Sequence, residues 1–97
     1  MPDDRAPDSV GPVLDDGEVG DAIVAAIREA YPDAAVVERG SYRRVLVAGR
    51  CVVHRAAIER ALGRAFRLPG DLERVMPSFK GTLELTDDTV TWSWRAP

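Results

Sequence analysis

The chain has 97 residues, 45% of them hydrophobic and 30% charged, with a formal net charge of −3; this suffices for one modest core and is too apolar for disorder throughout. Its longest apolar runs, such as IVAAI and VLVA, fall far short of the about 20 residues that span a bilayer, and an acidic chain with scattered arginines lacks the basic stripe of a nucleic-acid binder, so neither membrane nor nucleic acid is an expected partner. Cys51 is the only cysteine, which removes internal disulfides and cysteine-cluster metal sites and, with an N-terminus (MPDDRAPDS) that has no basic region leading into an apolar segment, fits a reducing, cytoplasmic setting.

Charge is uneven along the chain: residues 1–21 carry −6 and residues 22–97 carry +3. Residues 1–9 hold three aspartates and two prolines without apolar periodicity, and read as a flexible acidic tail ahead of a domain spanning 10–97. VGPVL (10–14) reads as a strand at a sheet edge, because Pro12 has no N–H for a ladder. Val19, Ile23, Ala26, Ile27 and Ala30 then line one face of a helix after the acidic entry Asp15, Asp16 and Glu18, and Pro32 ends it. AAVVER and YRRVLVAG are two strands turning at Gly40–Ser41, with Val45 and Val47 on one face and Tyr42, Arg44 and Leu46 on the other. RCVVH adds a short strand.

A second helix begins near Arg55, burying Ile58, Ala61 and Leu62, with Gly63 placed for a left-handed cap. Leu68, Leu72, Val75 and Met76 have the spacing of a third, short helix entered through Pro69. The chain closes on a hairpin: Leu83 and Leu85, a turn at Asp87–Asp88, then Val90, Trp92 and Trp94 opposite Thr89, Thr91 and Ser93. The order β-α-β-β-β-α-α-β-β predicts a compact, single α+β domain with mostly antiparallel sheets.

Candidate chemistry is sparse. His54 is the only histidine, and its three-residue separation from Cys51 in a strand puts the two side chains on opposite faces, which argues against a thiol dyad. Cys51 reads as a small buried hydrophobe and His54 as a surface or capping residue. The aspartate pairs fall in tail, cap and turn settings, and the glycines are spread singly, so no metal cage or phosphate loop is expected. Trp92 and Trp94 read as sheet packing. Arg43, Arg44, Arg50 and Arg55 gather around the middle strands, as ordinary surface charge or as a partner-facing patch; arginine is enriched at interfaces. No catalytic, cofactor-binding or metal-binding residue emerges.

Four motifs in order carry a resemblance over residues 8–94: SVGPVL before the first helix, YPDAAVVERGSYRRV after it, HRAAIERALGRAF, and LERVMPSFKG before the closing hairpin. Together they resemble the coupling (effector, or regulatory) proteins of bacterial multicomponent diiron monooxygenases, the family of the methane, phenol and toluene monooxygenase components. The resemblance implies a cofactor-free α+β protein, a monomer when free. It implies docking on a diiron hydroxylase near its iron-holding helices, where such proteins promote O2 activation, coupling and substrate access for hydrocarbon oxidation. The alternative is a stand-alone interaction domain that kept this fold for another partner. Val75, Met76, Pro77, Ser78 and Phe79 match the family segment that lies over the hydroxylase; with Lys80 and the arginines Arg43 and Arg44 they form the expected partner-binding set. His54 stands where relatives have threonine, Ala65 where they have proline, and Lys80 where a small residue is common.

Overall fold

The computed structural model describes residues 8–94. Seven strands and three helices follow one another as β1 (Ser9–Asp15), α1 (Glu18–Ala30), β2 (Ala35–Arg39), β3 (Tyr42–Ala48), β4 (Arg50–His54), α2 (Arg55–Leu62), α3 (Gly70–Glu73), β5 (Ser78–Lys80), β6 (Thr82–Leu85) and β7 (Thr89–Ser93). They build two antiparallel sheets, one in the order β2-β3-β1-β5 and the other β4-β7-β6. The α+β class holds, with one strand, β5, that the sequence reading lacks: Ser78–Lys80 is only three residues long, too short for alternation to show.

The acidic tail expected over 1–9 lies outside the described residues as far as residue 7. Ser9, placed in that tail, instead opens β1 opposite Ala48 and is 2% exposed, and the Asp8 carbonyl accepts the Gly49 N–H. The described chain thus enters the fold at Asp8 and Ser9.

Strand β1 is not at an edge. It runs between β3 and β5, and Pro12 is accommodated by a lapse in the ladder: β1 pairs with β3 at Ser9, Val10, Val13, Leu14 and Asp15 but not at Gly11 or Pro12. At that gap the backbones crowd together, since a Cβ on Gly11, which has φ +149°, would stand 2.2 Å from the Val45 carbonyl oxygen. Glycine supplies the close approach and the positive φ that no other residue allows there.

Helix α1 buries Ala22, Ile23, Val24, Ala26 and Ile27, the predicted stripe shifted toward its middle; Ala30, expected on that face, is exposed in the last turn. The helix stops as predicted, with Tyr31 at the C-cap ahead of Pro32. In α2, Ile58 is buried and Leu62 half-buried, while Ala61 faces outward, and Gly63 takes the left-handed cap conformation. The third helix is a single turn around the fully buried Leu72.

One core joins these parts. Val10 and Leu14 of β1, Val45 and Val47 of β3, the α1 stripe, Cys51 and Val53 of β4, Ile58, Phe66, Leu72, and Val90 and Trp92 of β7 form a continuous apolar cluster. The closing hairpin forms as predicted, with Leu83 opposite Trp92 and the turn held by the Thr86 hydroxyl, which accepts the Asp88 and Thr89 N–H groups. Trp94, expected beside Trp92, lies one residue past β7 and is 41% exposed, so it is not part of the core.

Candidate functional site

Opposed residues on paired strands share a face, and successive residues alternate. Those two rules turn the register of the first sheet into a map. Val37, Arg44, Val13 and Ser78 form one row across β2, β3, β1 and β5. Arg39, Tyr42 and Asp15 form a second row, and the pairs Ala35–Leu46 and Gly11–Lys80 belong to the same face on the other side. The opposite face carries Val10, Leu14, Val45 and Val47, which are core. Val36 packs against that core, whereas Val13 and Val37, both half-buried, lie outside it. The Val13–Arg44 side is therefore the sheet's outward face, open at Arg39, Tyr42, Arg44, Ser78 and Lys80 but closed at the other end, where Ser9, Ala35 and Leu46 are buried.

This map separates the expected partner-binding residues. Arg44, Ser78 and Lys80 are exposed and come together on the outward face, although more than thirty residues separate Arg44 from the other two. Phe79, opposite Pro12, projects from the other side of β5 and is 41% exposed at the sheet margin. Pro77 is exposed just before the strand. Val75 is half-buried against the core, and its carbonyl accepts the Asp15 N–H. Met76 is buried at 9% exposure.

Arg43 leaves the surface set altogether. It is 8% exposed, its guanidinium pairs with Asp21 and approaches Asp16, and its Nη2 donates to the carbonyls of Asp15 and Gly17 at 3.5 Å each. It ties β3 to the β1–α1 turn. Alternation places it on the inner face of the strand that shows Arg44 outside.

Reactive chemistry finds little support. Cys51 is fully buried and its thiol is pushed up to about 12 by burial, so it stays protonated near neutrality. His54 is exposed at the N-cap of α2 and makes no side-chain capping bond, and in β4 the two residues do point to opposite sides. Among the described residues no group of three His, Cys, Asp or Glu side chains is placed to hold a metal ion, and no helix is long and apolar enough to cross a membrane. Sequence reasoning missed that Val13 pairs with Ser78 and that Val37 and Tyr42 lie on the same face of the sheet; the alternation of Tyr42, Arg44 and Leu46 against Val45 and Val47 is the one available signal.

Fold and face together define a class: a small two-sheet α+β domain that presents a mixed apolar and cationic surface. The sequence model of the MmoB/DmpM family matches residues 8–93, and the chain belongs to that family. It is 38% identical over 96 residues, covering 97% of this chain and 94% of the relative, to the effector subunit of the alkene monooxygenase system of Xanthobacter autotrophicus (strain ATCC BAA-1158 / Py2). Two solved structures of the phenol hydroxylase–regulatory protein complex contain chains of the same fold. One has a TM-score of 0.78 at 23% identity, covering 90% of this chain and 98% of the other. The second has a TM-score of 0.75 at 24% identity, covering 89% and 99%.

Proposed function

We propose that this chain is the non-catalytic effector component of a multicomponent monooxygenase. It binds the diiron hydroxylase of that system and promotes O2 activation, coupling of electron use to hydrocarbon oxidation, and substrate access. The observation that carries this reading is the near end-to-end similarity to an alkene monooxygenase effector subunit. A domain without a reaction centre of its own can still control a reaction by binding two states of an enzyme unequally, since the difference in affinity shifts their populations. On this reading the protein is a cytoplasmic monomer when free, and its Val75–Lys80 segment meets the hydroxylase.

The test is reconstitution. Added to its hydroxylase with reductase and NADH, the protein should raise the turnover rate and lower the peroxide released per NADH consumed; no change in either sinks the reading. Within the complex, Ser78→Trp or Phe79→Ala should shift substrate preference or the degree of stimulation while circular dichroism stays that of the wild type.

A further inference from the structure

The sequence has no asparagine and a single Asp-Gly pair, Asp16–Gly17. An aspartate can react with its own backbone. The amide nitrogen of the following residue attacks the side-chain carboxyl carbon, the new N–Cγ bond closes a five-membered succinimide, and the amide proton leaves with the carboxyl hydroxyl as water. Water then reopens the ring at either carbonyl. One product is aspartate again; the other is isoaspartate, whose main chain runs through the side-chain carbonyl and leaves a free carboxylate on Cα. The step needs a following amide that is free to turn and no side chain in its way.

Folding restrains that amide at most of the described aspartates. The Asp16 N–H, which follows Asp15, donates to the Ser41 carbonyl at 2.9 Å, and the Ala34 N–H, which follows Asp33, donates to the Tyr31 carbonyl at 2.9 Å. The Asp88 and Thr89 N–H groups, which follow Asp87 and Asp88, both donate to the Thr86 hydroxyl. The amides after Asp21 and Asp71 lie inside α1 and α3, and the one after Asp8 belongs to the buried Ser9 in β1. Among the described residues the Gly17 N–H alone follows an aspartate in a turn without an acceptor.

The rest of the geometry agrees. No atom lies within 4 Å of where a Gly17 Cβ would stand, and its φ of +140° is one that glycine leaves and re-enters without steric cost. The Asp16 side chain is 69% exposed, and the nearest cation, Arg43 Nη2 at 3.9 Å, is beyond hydrogen-bond reach. Both reacting groups are therefore untethered. We infer that Asp16–Gly17 is a site of spontaneous isoaspartate formation, a covalent modification seated in the β1–α1 turn. The product inserts one backbone methylene between two anchored points. On one side the Asp16 N–H is held by Ser41; on the other the Gly17 carbonyl accepts from the Asp21 N–H at 2.8 Å and from Arg43 Nη2 at 3.5 Å. The turn has no slack for it, since Gly20 already packs on the Asp15 carbonyl so closely that a Cβ would stand 2.3 Å away. The modified chain keeps one anchor and loses the other, which loosens the start of α1 and the seat of Arg43.

The experiment ages the full-length protein for several weeks in neutral buffer at physiological temperature. Isoaspartate is counted by transfer of a labelled methyl group from S-adenosylmethionine with an isoaspartyl methyltransferase, and placed by electron-transfer fragmentation of tryptic peptides. Without asparagine in the chain, deamidation contributes nothing to the signal. Conversion at Asp16 should exceed that at Asp15, Asp33, Asp87 and Asp88 by about tenfold, because each of those amides must first break a hydrogen bond. In urea those bonds are gone and the excess at Asp16 should narrow. Asp16→Glu keeps the charge but can close only a slower six-membered ring, so its signal should fall to that of the other aspartates. Aged wild type should melt at a lower temperature than fresh protein, and aged Asp16→Glu should not. Equal conversion at all aspartates of the folded protein, or a signal undiminished in Asp16→Glu, overturns the site. So does a folded protein that forms no isoaspartate at Asp16 while the urea-unfolded chain does.

Discussion

Arg43 and Arg44 are adjacent in the chain and opposite in role. The first is enclosed where the β1–α1 turn meets β3, its Nε without a partner among the described residues; the second is exposed on the other side of the strand. Removing Arg43 deprives the Asp15 and Gly17 carbonyls and Asp21 of a shared donor, so Arg43→Ala should lower stability by about 1–3 kcal/mol, less than for a fully buried pair because Asp21 remains largely in water. Arg44→Ala should stay within about 0.5 kcal/mol. Urea unfolding of the two variants checks the contrast, and equal midpoints would contradict it. Cys51 supplies a second residue-scale prediction. Its ordinary value is 9.0 and burial raises it to about 12 in the folded protein, so above pH 9 the unfolded chain releases a proton that the native state keeps. Stability from this group is therefore whole below pH 9 and declines as pH rises toward 12. Unfolding midpoints that fall over this range in the wild type, and fall less in Cys51→Ala, are the expected result.

At the scale of elements, α1 shows how a local rule yields to packing. Glycine inside a helix ordinarily costs about 1 kcal/mol relative to alanine, so Gly20→Ala looks stabilising on propensity alone. A Cβ there would stand 2.3 Å from the Asp15 carbonyl oxygen and 2.8 Å from Arg43 Nη2, and the first of these is backbone that cannot swing away. Gly20→Ala should lower the melting temperature, whereas Ala25→Gly, on the exposed face of the same helix, should cost only the propensity difference. The apolar period, the acidic entry and Pro32 made α1 legible, and alternation around a turn did the same for the β6–β7 hairpin. The short β5 was not legible, because three residues carry too little period, and neither was the interior position of β1, because Pro12 is compatible with a central strand only when a neighbouring glycine opens a gap in the ladder.

At the scale of the whole molecule, the two sheets are joined at Gly81, where the chain leaves β5 and enters β6. Its φ is +109°, and a Cβ would lie 2.8 Å from Val10 Cγ1 and 2.9 Å from the Ser93 carbonyl oxygen, one in each sheet. Gly81→Ala should therefore destabilise both sheets together by about 2 kcal/mol or more, as a single cooperative transition at a lower temperature; a variant that melts like the wild type would show that the sheets are not coupled there. Periodicity, proline and glycine placement and the shortage of reactive side chains were enough, from the sequence alone, to establish the α+β class, most of the elements and a family resemblance borne out by comparison. Which face of the first sheet is covered, and that Arg44 and Lys80 share the open one while Arg43 and Met76 do not, was decided only by tertiary structure. Alternation divides a strand into two faces but does not say which is buried or which strand lies next to it; that depends on pairings between residues tens of positions apart, and here β1 brings β3 and β5 together across them.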